Sequence, residues 1–416
     1  MIQFLAGSWA LLLGMMLLMV GNGLQGTLLG VRGEMADFST FEMSIVMSSY
    51  FVGFLGGSYL TPGLIRRVGH VRVFSALASF ISAVLVLYAV WINPWGWSVL
   101  RVIIGFCFSG VYVTAESWLN NAATNETRGK ALSLYMITMM LGIVIAQGLL
   151  LVADPGGFLL FIIPSVLVSI SFAPILLSVQ PTPAHESTKP MSLRQLYEVS
   201  PLGVVGMVLL GLVFSAQFGM AAVYGAQAKL TLAQISMFVS AFYVGATLLQ
   251  YPLGWISDRM DRRLLILGVS VLGGAGALIG ALFGGYFPAL LISAFIVGGT
   301  SNPLYSLLIA YTNDFVEYED MAAVSGGLVF VNGLGAIAGP VITGWAMGVV
   351  GAPGYFHFLA LILFAMAGYA AWRMTVRAAP SVEDTSAYVA VSMAASPMAV
   401  EISVEEMEEH ENAAES

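Results

Sequence analysis

Charge is what this sequence has least of. Asp, Glu, Lys and Arg make up only 9% of its 416 residues, against 58% hydrophobic, where a soluble domain carries about a quarter charged. So little polar surface excludes an ordinary water-soluble fold of this length and makes the lipid bilayer the expected solvent. Cysteine is nearly absent. Cys107 stands alone, so no internal disulfide can form, and inside its apolar run it reads as a small core hydrophobe. Histidine is scarce as well: His70, His185, His357 and His410 are scattered, and no H-E-x-x-H, G-x-S-x-G or Cys/His cluster occurs. That excludes the common hydrolase constellations. No enzyme activity, metal, cofactor or nucleic-acid partner is expected, and the chain reads as a monomer.

The net charge of −8 belongs to one end. Nine acidic residues and no Lys or Arg follow Arg377, while 15 basic and 14 acidic residues precede that point. The body is close to neutral. The tail, residues 378–416, reads as acidic and disordered, with a short helix conceivable at Val400–His410.

What the sequence has in abundance is long apolar runs. A spanning helix needs about 20 mostly apolar residues, and twelve such runs lie near 5–31, 41–64, 72–92, 96–120, 130–152, 157–178, 202–226, 232–256, 263–285, 287–312, 322–349 and 354–376. The first has no Lys or Arg before it and is too long for the apolar core of a signal peptide, so it reads as the first span. With the N-terminus in the cytoplasm, Arg66, Arg67, Arg72, Arg128, Lys130, Lys189, Arg194, Arg259, Arg262, Arg263, Arg373 and Arg377 all fall on the cytoplasmic side. Only Arg32 and Lys229 fall outside. This bias sets the orientation of a multi-pass inner-membrane protein with both termini cytoplasmic.

Shifting the sequence by 192 residues aligns its halves without a gap. Gly33 meets Gly225, Gln25 meets Gln217, Ser44 meets Ser236, Ser48 meets Ser240, Gly53 meets Gly245, Tyr59 meets Tyr251 and Arg67 meets Arg259. A shift of six helices keeps membrane orientation, so the repeat is parallel, about an axis along the membrane normal. The expected fold is all-α: twelve transmembrane helices in two pseudo-symmetric six-helix bundles, residues 1–178 and 202–377, joined by a cytoplasmic linker at 179–201.

After the eighth span stands Gly254-Trp-Ile-Ser-Asp-Arg-Met-Asp-Arg-Arg263, which resembles the G-x-x-[AS]-D-R-x-G-R-[RK] loop of the major facilitator superfamily. The departure is Asp261 in place of Gly. The copy after the second span, Arg66-Arg-Val-Gly-His-Val-Arg72, keeps Arg and Gly but has Arg66 where the acid belongs. Arg101-x-x-x-Gly105 is similar to the family's R-x-x-x-G element. Glu116-Ser-Trp-Leu-Asn120, Arg128-Gly-Lys-Ala-Leu-Ser-Leu-Tyr135 and Tyr311-Thr-Asn-Asp314 resemble the YcaD-like branch of bacterial transporters. Gly335-x-x-x-Gly339-Pro340-x-x-x-Gly344 is similar to a Gly/Pro element that antiporters carry in the fifth helix. The resemblance covers residues 1–377. It implies the major facilitator fold and alternating access of a small organic solute to a mid-membrane site. Proton-linked transport is favoured over plain facilitation. A non-transporting sensor or scaffold on the same fold is the alternative, and it would tolerate Gln25→Ala.

Ionisable and polar groups within spans are costly and therefore functional candidates. Arg101 is a candidate anchor for an anionic substrate group or a partner in proton coupling. Gln25 and Gln217, repeat partners on the first and seventh spans, are expected to contact solute; an amide offers donors and an acceptor. Asn22, Tyr112, Asn302, Tyr305 and Asn332 join them as substrate-binding candidates. Gating is expected from Glu116 paired with Arg67 or Arg128, and from Asp258, Arg259 and Arg262. Asp314 and its neighbouring acids are expected to face Arg66, Arg67 and Arg72.

Overall fold

The structure is a computed structural model that describes residues 2–122, 128–173, 176, 191–316, 318–376, 388, 390 and 391. The described residues are almost entirely helical: α1 (Ile2–Met35), α2 (Thr40–Val68), α3 (His70–Val90), α4 (Pro94–Ala122), α5 (Arg128–Leu149), α6 (Leu159–Ser171), α7 (Leu193–Val199), α8 (Pro201–Ser215), α9 (Ala221–Gln227), α10 (Leu232–Ser257), α11 (Arg262–Phe283), α12 (Phe287–Asn313), α13 (Tyr318–Val350) and α14 (Gly354–Val376). A π-helical turn, Ala216–Met220, joins α8 to α9. Among the described residues eleven segments are long and apolar enough to cross a membrane, α8 to α9 counting as one. The sixth expected span differs. It is represented by α6, 13 residues of apolar helix, about 20 Å at 1.5 Å per residue, and residues 174, 175, 177 and 178 of the expected span lie outside the described ones.

The repeat is written into local geometry. Ser39 caps α2 through a capping box with Glu42, and 192 residues on Thr231 and Gln234 exchange the same pair of bonds ahead of α10. Asp37 and Lys229, also repeat partners, both adopt φ 57°, the left-handed region that ordinary side chains rarely enter. Gly33 makes room for Met43, and Gly225 makes room for Ile235 at the matching position. Within each half the same helices are neighbours: α1 packs on α5 and α6 as α8 packs on α13 and α14, and α3 packs on α4 and α6 as α11 packs on α12 and α14.

Glycine sets the closest crossings. A Cβ on Gly53 would be driven into the Val102 carbonyl, and one on Gly105 into that of Tyr50, so α2 and α4 meet backbone to backbone. Gly245 against Phe295 and Gly298 against Phe242 repeat this between α10 and α12. Gly335 and Gly339 let α13 approach α8 at Val208 and Leu212 in the same way, the small-residue packing that replaces the hydrophobic effect in lipid.

The chain forms two compact units. One comprises Met1–Ser187 and Phe218–Ser240, the other Thr188–Gln217 and Ala241–Ser416. Phe218–Ser240 falls in the same unit as the first six helices. A Cβ on Gly30 would strike Ala222, and the Ser236 hydroxyl donates to the Gln147 carbonyl at 2.6 Å. The chain passes from one unit to the other inside the π-helical turn.

Candidate functional site

Four substrate-site candidates of the first unit meet in one polar chain. Arg101 on α4 donates from Nη1 to Gln25 Oε1 at 2.9 Å. Gln25 Nε2 donates to Asn22 Oδ1 one turn away at 3.1 Å, and Asn22 Nδ2 donates to the Tyr112 hydroxyl at 2.9 Å. Helix periodicity explains the spacing. Asn22 and Gln25, three residues apart, share a face of α1, and Arg101 and Tyr112, three turns apart, share a face of α4.

Arg101 is 4% exposed and Gln25 1%, while Asn22 is half-buried. The guanidinium lies 4.7 Å from the centroid of the Tyr50 ring, a cation–π contact, and Nη2 stands 3.4 Å from Met47 Sδ. Its Nε has no hydrogen-bond partner among the described residues. The Tyr88 hydroxyl lies beside it without reaching hydrogen-bond geometry. Among the described residues no carboxylate pairs with Arg101. A cation held out of water by neutral groups alone is expensive, and an incoming anion would relieve that cost. Next to Gln25 there is space: a Cβ on Gly26 would meet nothing within 4 Å. Sequence reasoning missed Tyr50, Met47 and Tyr88. Their positions on α2 and α3 carry no signal until those helices are packed.

In the second unit Gln217 sits within the π-helical turn, where such turns often mark functional positions. Its Nε2 donates to Ser301 Oγ at 3.0 Å, and the same hydroxyl stands 3.1 Å from Oε1. So Gln25 holds a cation while its repeat partner holds a hydroxyl. Asn302 and Tyr305 lie beside Ser301 on α12, both buried. Asn332, the candidate on α13, takes part in helix packing. Its Nδ2 donates to the Met207 carbonyl of α8 at 3.1 Å, an interhelical bond where Gly211 lets the backbones meet.

The gating candidates divide. Glu116, 1% exposed, accepts from the Tyr135 hydroxyl at 3.3 Å, and next to it Ser117 bonds His70 Nε2 at 2.9 Å. Arg67 is exposed near the end of α2, and Arg128 opens α5. In the second unit Arg262 is buried. It bonds Ser257 Oγ at 3.2 Å and the Ala310 carbonyl at 3.3 Å, and it is ion-paired with Asp314. Asp314 therefore has a partner within its own unit. Asp258 stands 3.8 Å from Arg262. Arg259 folds back over Trp255, 4.2 Å from the ring centroid, and donates to the Trp255 carbonyl.

Asp261, the departure from the family loop, has a local reason. It caps α11 by accepting from the Arg263 N–H and pairs with the Arg263 guanidinium at 2.8 Å. Burial opposes its charge, but the hydrogen bonds and charge of Arg263 outweigh this and hold the carboxyl below the usual Asp range.

A bundle of spanning helices with buried polar contacts between them, repeated once, defines a multi-pass membrane protein. The profile of the Major Facilitator Superfamily matches residues 11–230 and 203–390, and the chain belongs to that family. Among curated relatives it is similar to the uncharacterized MFS-type transporter YcaD. The Salmonella arizonae protein is 28% identical over 342 residues, 81% of this chain and 88% of the relative; that of Escherichia coli O6:K15:H31 is 29% identical over 343 residues, with the same coverage. Among solved structures, a mutant of the nucleoside transporter NupG matches with a TM-score of 0.74 at 15% identity, covering 88% of this chain and 99% of that one. A bacterial homologue of the human lysosomal transporter Spinster matches at 0.70 and 15%, covering 91% and 97%. At such identities the likeness is one of fold.

Proposed function

We propose that this protein is a secondary active transporter that carries a small organic solute with an anionic group across the bacterial inner membrane by alternating access, with both termini in the cytoplasm. The observation that carries the reading is Arg101: a buried guanidinium, held by an amide and an aromatic ring, with an uncommitted Nε and no described carboxylate partner. Asn22 and Gln25 offer the donors and acceptors that would orient the rest of the solute. Proton coupling is the favoured driving force, and Glu116, a buried carboxylate of the first unit, would act as a gate residue.

The test is uptake into proteoliposomes of a panel of small organic anions, each beside its neutral amide or ester analogue, with and without an imposed pH gradient. The expected result is transport of an anion but not its neutral analogue. Arg101→Gln should reduce it by roughly 10- to 100-fold, the value of a hydrogen bond to a charged group, and Arg101→Lys by less. Equal transport of anion and analogue, unchanged by Arg101→Gln, would overturn the anionic reading. Insensitivity to the gradient would overturn proton coupling alone.

A further inference from the structure

Well beyond the end of α14 at Val376, three residues of the acidic tail have a described place, and it is against the second unit. The Tyr388 N–H donates to Asp258 Oδ1 at 2.8 Å. Its hydroxyl accepts from Gln250 Nε2 at 2.9 Å. Val391, 2% exposed, is held by one hydroxyl at both ends: its N–H donates to Ser306 Oγ at 2.9 Å, and the same Oγ stands 3.1 Å from its carbonyl oxygen. Gln250 also reaches Ser306 at 3.2 Å, tying α10 to α12 beneath the tail.

The seat is shaped for an aromatic ring. A Cβ on Gly254 would lie 2.6 Å from two carbons of the Tyr388 ring, so this ring position exists only because residue 254 has no side chain. Burial raises the Tyr388 hydroxyl above its ordinary pKa, which keeps the phenol neutral and able to bond. Every bond named here runs to a side chain of the bundle, none to a neighbouring strand or helix backbone, which is the pattern of a ligand rather than of an added structural element. The oxygen of Asp258 that accepts from Tyr388 is also the one that faces Arg262 at 3.8 Å, so the tail shares the acid of the family's loop motif. The stretch of α12 that the tail meets is packed throughout: every residue from Val297 to Asn313 is buried.

We propose that Tyr388 and Val391 form an intrachain plug, seated between α10 and α12, that shields the polar face of α12 bearing Asn302 and Ser306 and withdraws to open it. Neither readout below needs a solute, so the outcome is separate from that of the transport reading.

The full-length protein, purified in detergent, is followed by hydrogen–deuterium exchange. The peptide containing Tyr388 and Val391 should exchange at least tenfold faster in Gly254→Leu, which expels the ring, than in the wild type. In parallel, Asn302→Cys on a Cys107→Ala background is labelled with a maleimide. Its rate should rise at least tenfold when Tyr388→Ala is added. Tyr388→Ala alters only the tail, so agreement of the two experiments separates undocking from misfolding of α10. Equal exchange in wild type and Gly254→Leu would show that the tail has no seat. Slow exchange with an unchanged labelling rate would show that it docks without shielding α12. Either result overturns the proposal.

Discussion

Gln25 bonds the buried guanidinium of Arg101 directly, and removing it gives the sharpest test of the site. In Gln25→Ala, Nη1 loses its 2.9 Å acceptor, and Nε already lacks one. A hydrogen bond to a charged group contributes about 1.5–3 kcal/mol, whereas neutral interhelical bonds in lipid average about 0.6 kcal/mol. With Arg101 only 4% exposed, water has poor access to the vacancy, so the substitution should cost about 2 kcal/mol. In an Arg101→Met background the charge is gone and Gln25 keeps only its bond to Asn22. There Gln25→Ala should cost about 0.6 kcal/mol, leaving a coupling of roughly 1.5 kcal/mol. The measurement is reversible unfolding of the four proteins in mixed micelles by denaturing detergent, read by circular dichroism. A coupling below about 0.5 kcal/mol, the range of independent sites, would mean that Gln25 does not carry the cation, and the site would have to be redrawn.

Gly53→Ala should destabilise by about 1–3 kcal/mol, the cost of overpacking, because its Cβ would meet the Val102 carbonyl; Gly26→Ala, with nothing within 4 Å, should stay within about 0.5 kcal/mol of wild type in the same unfolding assay. Asp261→Asn should lose most of the Arg263 contact at neutral pH. Since the folded carboxyl titrates below its unfolded value of about 3.9, the wild-type advantage should be full above that pH and vanish as pH falls through the lower folded value, as thermal melts across acid pH would show. Ser301→Ala and Gln217→Ala should each cost about 0.6 kcal/mol and together little more than either alone, because each is the other's partner; additive losses would separate them.

Much of the fold was legible because its causes are local or periodic. Apolar length marks the spans, and a 192-residue shift that preserves Gly33, Gln25 and Gly53 reports a duplicated set of turns and crossings. The structure adds repeat matches that residue identity concealed. Ser39 and Thr231 both cap, Glu42 and Gln234 both answer them, and Asp37 and Lys229 share one backbone conformation. In each pair the role survives although the residue differs. Asp261 looked like a departure from the loop motif, and only its capping bond and its pair with Arg263 explain it.

The sequence by itself determined that this chain lives in lipid, folds as helices and does so twice, since hydrophobic length and repeat spacing are properties of the chain alone. Tertiary structure decided which polar groups meet. Gln25 and Arg101 lie 76 residues apart, Arg262 and Asp314 lie 52 apart, and Tyr388 reaches Gln250 across 138. A helix that is apolar on every side has no stripe to announce its inward face, so the rotation that turns Gln25 toward Arg101 and the turn that holds Gln217 are set only when the helices pack.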